Sequence, residues 1–273
     1  MFKKLALCAA LAASMGSVHA ASMITTPDGT YSFGGFDWAS TGSIWIKGYD
    51  ALAGKSFGYT DTFDLYFQAY AVNLQDANGQ NLALAGLKKT DLSAGYEYTI
   101  NAHVSEKVTC INVGCTLVQI DLVGGSWDVY YQLAGNAKLG GGNGGISGIL
   151  DGTKIISGNF TNGQPIIGPQ GASNPGNVAL LGTFDGAVTY TDAAYIAPDL
   201  IGTAAVSTLQ FGGRVTSWDR PVQFDGMGVV AANTNTDFVG QADANQAFIP
   251  EPGTLALAGL ALLGVGALRR RHG

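Results

Sequence analysis

Three stretches decide the fold: GYEYTINAHV at residues 95–104, TLVQIDLV at 116–123 and SWDVYYQL at 126–133. In each, β-branched or aromatic residues alternate with polar ones, the period of a strand whose two faces meet different surroundings. The same period runs through SIWIK at 43–47 and FDLYFQAYAV at 63–72, and strand-forming composition returns at 153–160, 178–190, 204–211 and 213–218. Asp-Gly or Asn-Gly pairs start at Asp28, Asn78, Asp151, Asn162, Asp185 and Asp225. Each pair supplies the positive φ that a tight hairpin turn requires. A parallel α/β sheet needs amphipathic helices of ten or more residues between its strands, whereas 51–53 and 192–201 have room only for short turns. The expectation is an all-β body, an antiparallel β-sandwich of jelly-roll type, because two sheets must cover each other's apolar faces.

Composition points the same way. Of 273 residues only 12% are charged and 40 are Gly, which argues against a helical bundle, while 47% hydrophobic and 10% aromatic residues exclude a disordered chain. With 14 basic against 20 acidic residues there is no basic footprint, so nucleic acid is set aside as a partner. No linker-like run and no fixed-period repeat divides the chain, and one large domain is the simpler reading.

The two ends differ from the body. Lys3 and Lys4 precede an apolar run at 5–15, and Val18-x-Ala20 offers a signal-peptidase site between Ala20 and Ala21, so 1–20 reads as a signal-peptide helix. Cys8 lies inside that apolar run after Leu7, where a lipidated Cys would need a small residue before it. At the other end, an apolar run at 254–268 lies between Pro250-Glu251-Pro252-Gly253 and Arg269-Arg270-Arg271. Its length as a helix is about 22 Å, less than the roughly 30 Å hydrocarbon core, so a span here is a short one. The Arg cluster holds its end in the cytoplasm, which places the body, 21–249, on the other side. Over 21–250 the chain has 9 basic and 19 acidic residues, a net charge of −10. Contact with an acidic polysaccharide would therefore run through hydrogen bonds, aromatic stacking or bridging cations.

The string PEPGTLALAGLALLGVGALRRRHG at 250–273 closely resembles the PEP-CTERM sorting signal: a Pro-Glu-Pro triplet, a short transmembrane helix and a terminal Arg cluster, behind a signal peptide. The resemblance implies that Pro250, Glu251 and Pro252 form the motif read by an exosortase, and that Arg269, Arg270 and Arg271 form the cytoplasmic stop. It also implies removal of the signal as the protein reaches the surface of a Gram-negative bacterium, alongside exopolysaccharide production. Within the body, WDVYYQLAGNAKLGGGNGGISGILDGTKIISGNFT, LLGTFDGAVTYT and FVGQADANQAFIPEP are similar to the flocculation-associated PEP-CTERM subgroup.

Candidate chemistry is sparse. Cys110 and Cys115, in CINVGC, read as a disulfide in an exported protein, worth about 2 kcal/mol in the chain-entropy view; C-x₄-C is neither a thioredoxin-like nor a zinc spacing. His103 sits in an alternating run without a G-x-S-x-G string, so a Ser-His-Asp hydrolase is disfavoured. Glu97 and Glu106 are the only Glu of the mature region, and a glycosidase pair would have to draw on them and neighbouring Asp. Gly140-x-Gly142-x-x-Gly145 matches a dinucleotide fingerprint only formally, since more strand follows rather than a helix. Asp61, Asp64 and the Asp-Gly turns raise calcium as the one cofactor to consider. Trp127 is assigned to the core; Trp38 and Trp45 either fill it or stack on sugars from an exposed face.

The functional expectation is a non-enzymatic surface or matrix protein that supports flocs or biofilm. Its partners would be signal peptidase and exosortase during export, the inner membrane transiently, and exopolysaccharide at the destination. The rival readings are a carbohydrate-binding module and a secreted glycan-processing enzyme, because a sorting signal identifies a route more than a cargo.

Overall fold

The structure, a computed structural model, describes residues 22–48, 55–115, 117–140, 144–167, 180–214, 223–229 and 238–249. The signal segment with Ala20 and Ala21, and the sorting segment with Pro250, Glu251, Pro252, Arg269, Arg270 and Arg271, lie outside the described residues, as does the helix expected in each. The strands are β1 Ser22–Thr26, β2 Gly29–Phe33, β3 Gly35–Trp38, β4 Gly42–Lys47, β5 Thr60–Gln75, β6 Glu97–Cys110 and β7 Val118–Gln132. They continue as β8 Thr153–Ile167, β9 Leu180–Thr191, β10 Ile196–Ala197, β11 Ala204–Arg214, β12 Gln223–Phe224, β13 Gly228–Val229 and β14 Phe238–Ile249.

β5 to β9 form an antiparallel meander in which each strand pairs with the next, and β11 follows β9. β14 then pairs with β11 on one side and with β3 and β4 on the other, and β3 and β4 both pair back to β5. The sheet therefore closes on itself as an up-and-down barrel with eight staves, β3 and β4 sharing one stave. This corrects the expected sandwich and jelly roll. The all-β, antiparallel character stands, but there is one closed sheet in place of two facing ones. The strand that closes it, FVGQADANQAFI, has small and polar residues where a strand signal would show large ones. It fits because Ala242 and Ala244 face a core already filled by Trp and Phe rings.

An eight-stranded barrel has an interior just wide enough for side chains to fill. Phe36 stacks on Trp38 at 4.8 Å between ring centroids, Phe36 meets Tyr98 at 5.6 Å, and Trp127 meets Phe248 at 5.9 Å. The space left between the inner side chains is about 30 Å³ and almost wholly apolar, room for a water or two. β1, β2 and β10 make a small separate sheet that adds Ile24, Phe33 and Ile196 to the same core. Two of the expected turn pairs lie within strands: Asn162 faces Asp185 across β8 and β9 at 3.3 Å. A Cβ on Gly163 would stand 3.0 Å from the Phe184 ring, so this Gly makes room for an aromatic neighbour.

Candidate functional site

From Phe67 to Ala71 every residue of β5 is buried, because both faces of the strand are covered there. Phe63, Leu65, Phe67, Ala69 and Ala71 point into the barrel, while Tyr70 joins Trp45 and Val239 in a second cluster outside it. The cover is the Gly-rich connection between β7 and β8, which buries Ala137, Leu139, Ile146 and Ile149 there, together with Phe224 of β12. Polar groups pin this flap. Lys88 and Glu97 form an ion pair at 3.3 Å with side chains 2% and 1% exposed. Glu97 also accepts the N–H groups of Asn136 at 2.8 Å and Ala137 at 3.0 Å, and Lys88 donates to the Ala137 carbonyl. Gln68 accepts from the Asp225 N–H and donates to its carbonyl, each at 2.9 Å, and the Asp225 carboxylate accepts from Ile149 N–H at 2.8 Å.

At the rim of this covered face, β3 passes into β4 through a tight turn, with Gly42 N–H donating to the Ala39 carbonyl at 2.7 Å and Ala39 N–H to the Tyr70 carbonyl at 2.9 Å. A cleft of about 360 Å³ opens beside it. The turn contributes Ser40 and Thr41, and β5 contributes Tyr70 and Val72. The connection between β5 and β6 adds Lys89, Thr90 and Asp91, and the flap adds Leu139. Tyr70 lines the cleft together with Asp91 and Thr41. Burial, and then the Asp91 charge, push the Tyr70 phenol up to about 12, so it remains a donor at every physiological pH. Asp91 also accepts from Leu139 N–H at 3.2 Å, which ties the cleft to the flap.

The sequence-predicted residues fall elsewhere. Trp38 is 1% exposed inside the barrel and Trp45 is 7% exposed beneath the flap, so neither is presented on an open face; Trp127 is in the core. Glu97 and Glu106 lie on opposite faces of β6 and do not face each other across a cleft. Glu106 points into the barrel, 0% exposed, and its two carboxylate oxygens have no hydrogen-bond partner among the described residues. Burial pushes its carboxyl up to about 7. His103 is 2.9 Å from Asp64 Oδ1 and stacks on Tyr66 at 4.6 Å, on the outer face and outside both cavities. With Asp64 so engaged, the calcium expectation meets no group of three His, Cys, Asp or Glu side chains suited to a metal among the described residues. Cys110 and Cys115 form a disulfide that closes the loop between β6 and β7.

The residues that build the cleft carried no motif. Tyr70 and Thr41 look like ordinary strand and turn residues, and Asp91 is 21 positions from Tyr70. The one signal that could have marked it is AYAV at 69–72, where the alternation gives way to four consecutive apolar residues, as on a strand covered on its outer side as well as its inner one.

The PEP-CTERM protein-sorting motif family matches residues 248–271, beginning within the last two residues of β14. No curated protein and no solved structure matches the chain. The matched segment contains the Pro-Glu-Pro triplet, the apolar run and the Arg cluster in order, so the chain carries the PEP-CTERM sorting motif of an exosortase-processed protein that is exported and transiently membrane-anchored.

Proposed function

We propose that this protein is a non-enzymatic component of the cell surface or extracellular matrix of a Gram-negative bacterium, supporting flocs or biofilm together with exopolysaccharide. The observation that carries the reading is the sorting motif joined in sequence to the strand that closes the barrel. The motif delivers whatever precedes it, and what precedes it is a barrel filled with aromatic side chains and stapled by a disulfide. The flocculation-subgroup resemblance of the body supports the same reading. Calcium has no assigned part in it.

The test is the settling of cultures lacking the gene, complemented by the full chain or by a chain ending at Ile249. Loss of flocs rescued only by the full chain supports the proposal, and unchanged settling in the deletion strain removes it. Direct glycan binding is a second reading, favoured by the cleft beside Tyr70 and Asp91. Turnover of the native exopolysaccharide by the purified protein would replace both with an enzyme.

A further inference from the structure

We infer that the cleft between the β3–β4 turn and the β5–β6 connection is a binding site for a single neutral sugar unit of a polysaccharide. The inference deepens the proposed function and rests on it only in supposing that the exported body meets a polysaccharide.

Size comes first. About 360 Å³ lies at the small end of ligand clefts, a fit for one sugar ring and too little for a folded partner. The apolar cavity inside the barrel, among the described residues, holds about 30 Å³.

The lining sets the ligand class. Lys89 and Asp91 balance in charge, and Asp91 already accepts from Leu139 N–H, so no net charge is left for an ionic ligand. Ser40, Thr41 and Thr90 bring hydroxyls, which both donate and accept and so match the hydroxyls of a sugar. Val72 and Leu139 add the apolar surface on which a pyranose lays its C–H face. The exported body carries a net charge of −10 over 21–250, which repels a polyanion and is indifferent to a neutral glycan.

The site is also held in shape before any ligand arrives. Lys89 and Thr90 N–H groups both donate to Ser93 Oγ at 3.0 Å, Ser93 N–H donates to Thr90 Oγ1 at 3.1 Å, and Ser93 Oγ donates to the Thr90 carbonyl at 3.0 Å. A preorganised wall lowers the ordering cost of binding.

The experiment is calorimetric titration of the full-length protein in detergent with D-glucose, D-galactose, D-mannose and N-acetyl-D-glucosamine, with D-glucuronate as the anionic comparison. Saturable binding of at least one neutral sugar is expected, with glucuronate weaker. Ser40→Trp, at an exposed turn position, fills the cleft and should weaken binding at least about tenfold with an unchanged melting temperature. If that variant misfolds, Thr90→Tyr fills the cleft from the opposite element and carries the same expectation. Absence of binding across the neutral panel, equal affinity in the folded cleft-filled variant, or preference for glucuronate would each overturn the inference. Complementing the deletion strain with Ser40→Trp separates the two readings. Full settling together with lost sugar binding leaves the matrix role intact and shows that the cleft does not serve it.

Discussion

Glu106 makes the protein's stability depend on pH in a direction opposite to that of most carboxylates. Its side chain lies between Phe63 of β5 and Leu122 of β7 in register, with Val104 and Val108 two positions either side on the same face of β6. Asp61 is on the inward side of β5 near the barrel rim, while Asp64, Lys107 and Asp121 occupy the outer face. Burial alone raises the Glu106 carboxyl from 4.5 to about 7. The folded state thus holds a proton that the unfolded chain releases above pH 4.5. Stability is fully present below that pH, falls as pH rises toward 7, and is level beyond it. The rise from 4.5 to about 7 corresponds to a loss of about 3 kcal/mol. Glu106→Leu removes the acid and should stabilise the protein by about 3 kcal/mol more at pH 8 than at pH 4.5, about 6–12 °C in melting temperature for a domain of this size. Urea unfolding of wild type, Glu106→Leu and Glu106→Gln at the two pH values measures this. A difference between the two pH values of less than about 1 kcal/mol between wild type and Glu106→Leu refutes the reasoning, as does a wild-type pH slope in Glu106→Gln.

Two further changes test the packing. A Cβ at Gly158 would lie 2.2 Å from Trp127 Cζ2 and 2.6 Å from the Ala187 carbonyl oxygen, so Gly158→Ala should cost about 3 kcal/mol or more in urea unfolding. Gly124→Ala, with nothing within 4 Å, should stay within about 0.5 kcal/mol. Lys88→Met strands the Glu97 carboxylate under the flap and should cost about 3–5 kcal/mol, whereas Lys88→Met with Glu97→Gln recovers part of the loss. Limited proteolysis should then cut the β7–β8 connection faster in the single variant than in the double, and equal rates would remove the flap-anchoring role.

Much of the barrel was legible in the sequence, strand by strand. Residues 95–104, 116–123 and 126–133 announce β6 and β7 because each strand there has one face in the core and one outside, and that asymmetry writes itself as a period of two. The cysteine spacing pointed to the disulfide, and the order of triplet, apolar run and Arg cluster pointed to the sorting motif, because both are local chemistry read from consecutive residues. The cleft was not legible, since Thr41, Tyr70 and Asp91 come from three separate segments and meet only after the β3–β4 turn and the flap are in place.

Sequence by itself determined the antiparallel β class, the disulfide and the sorting signal, read at 250–273 and matched at 248–271. Tertiary structure alone decided that the sheet closes. A period of two reports that a strand has an inner and an outer face, and says nothing about whether the inner face meets a second sheet or the far wall of its own. That choice fell to β14, whose Ala242 and Ala244 are small enough to lie against a filled core while its backbone joins β11 to β3 and β4. The same limit applies to Glu106 and Glu97: their spacing on one strand is visible in the chain, but only the closed barrel makes one an interior acid without a hydrogen-bond partner among the described residues and the other an anchor for the flap.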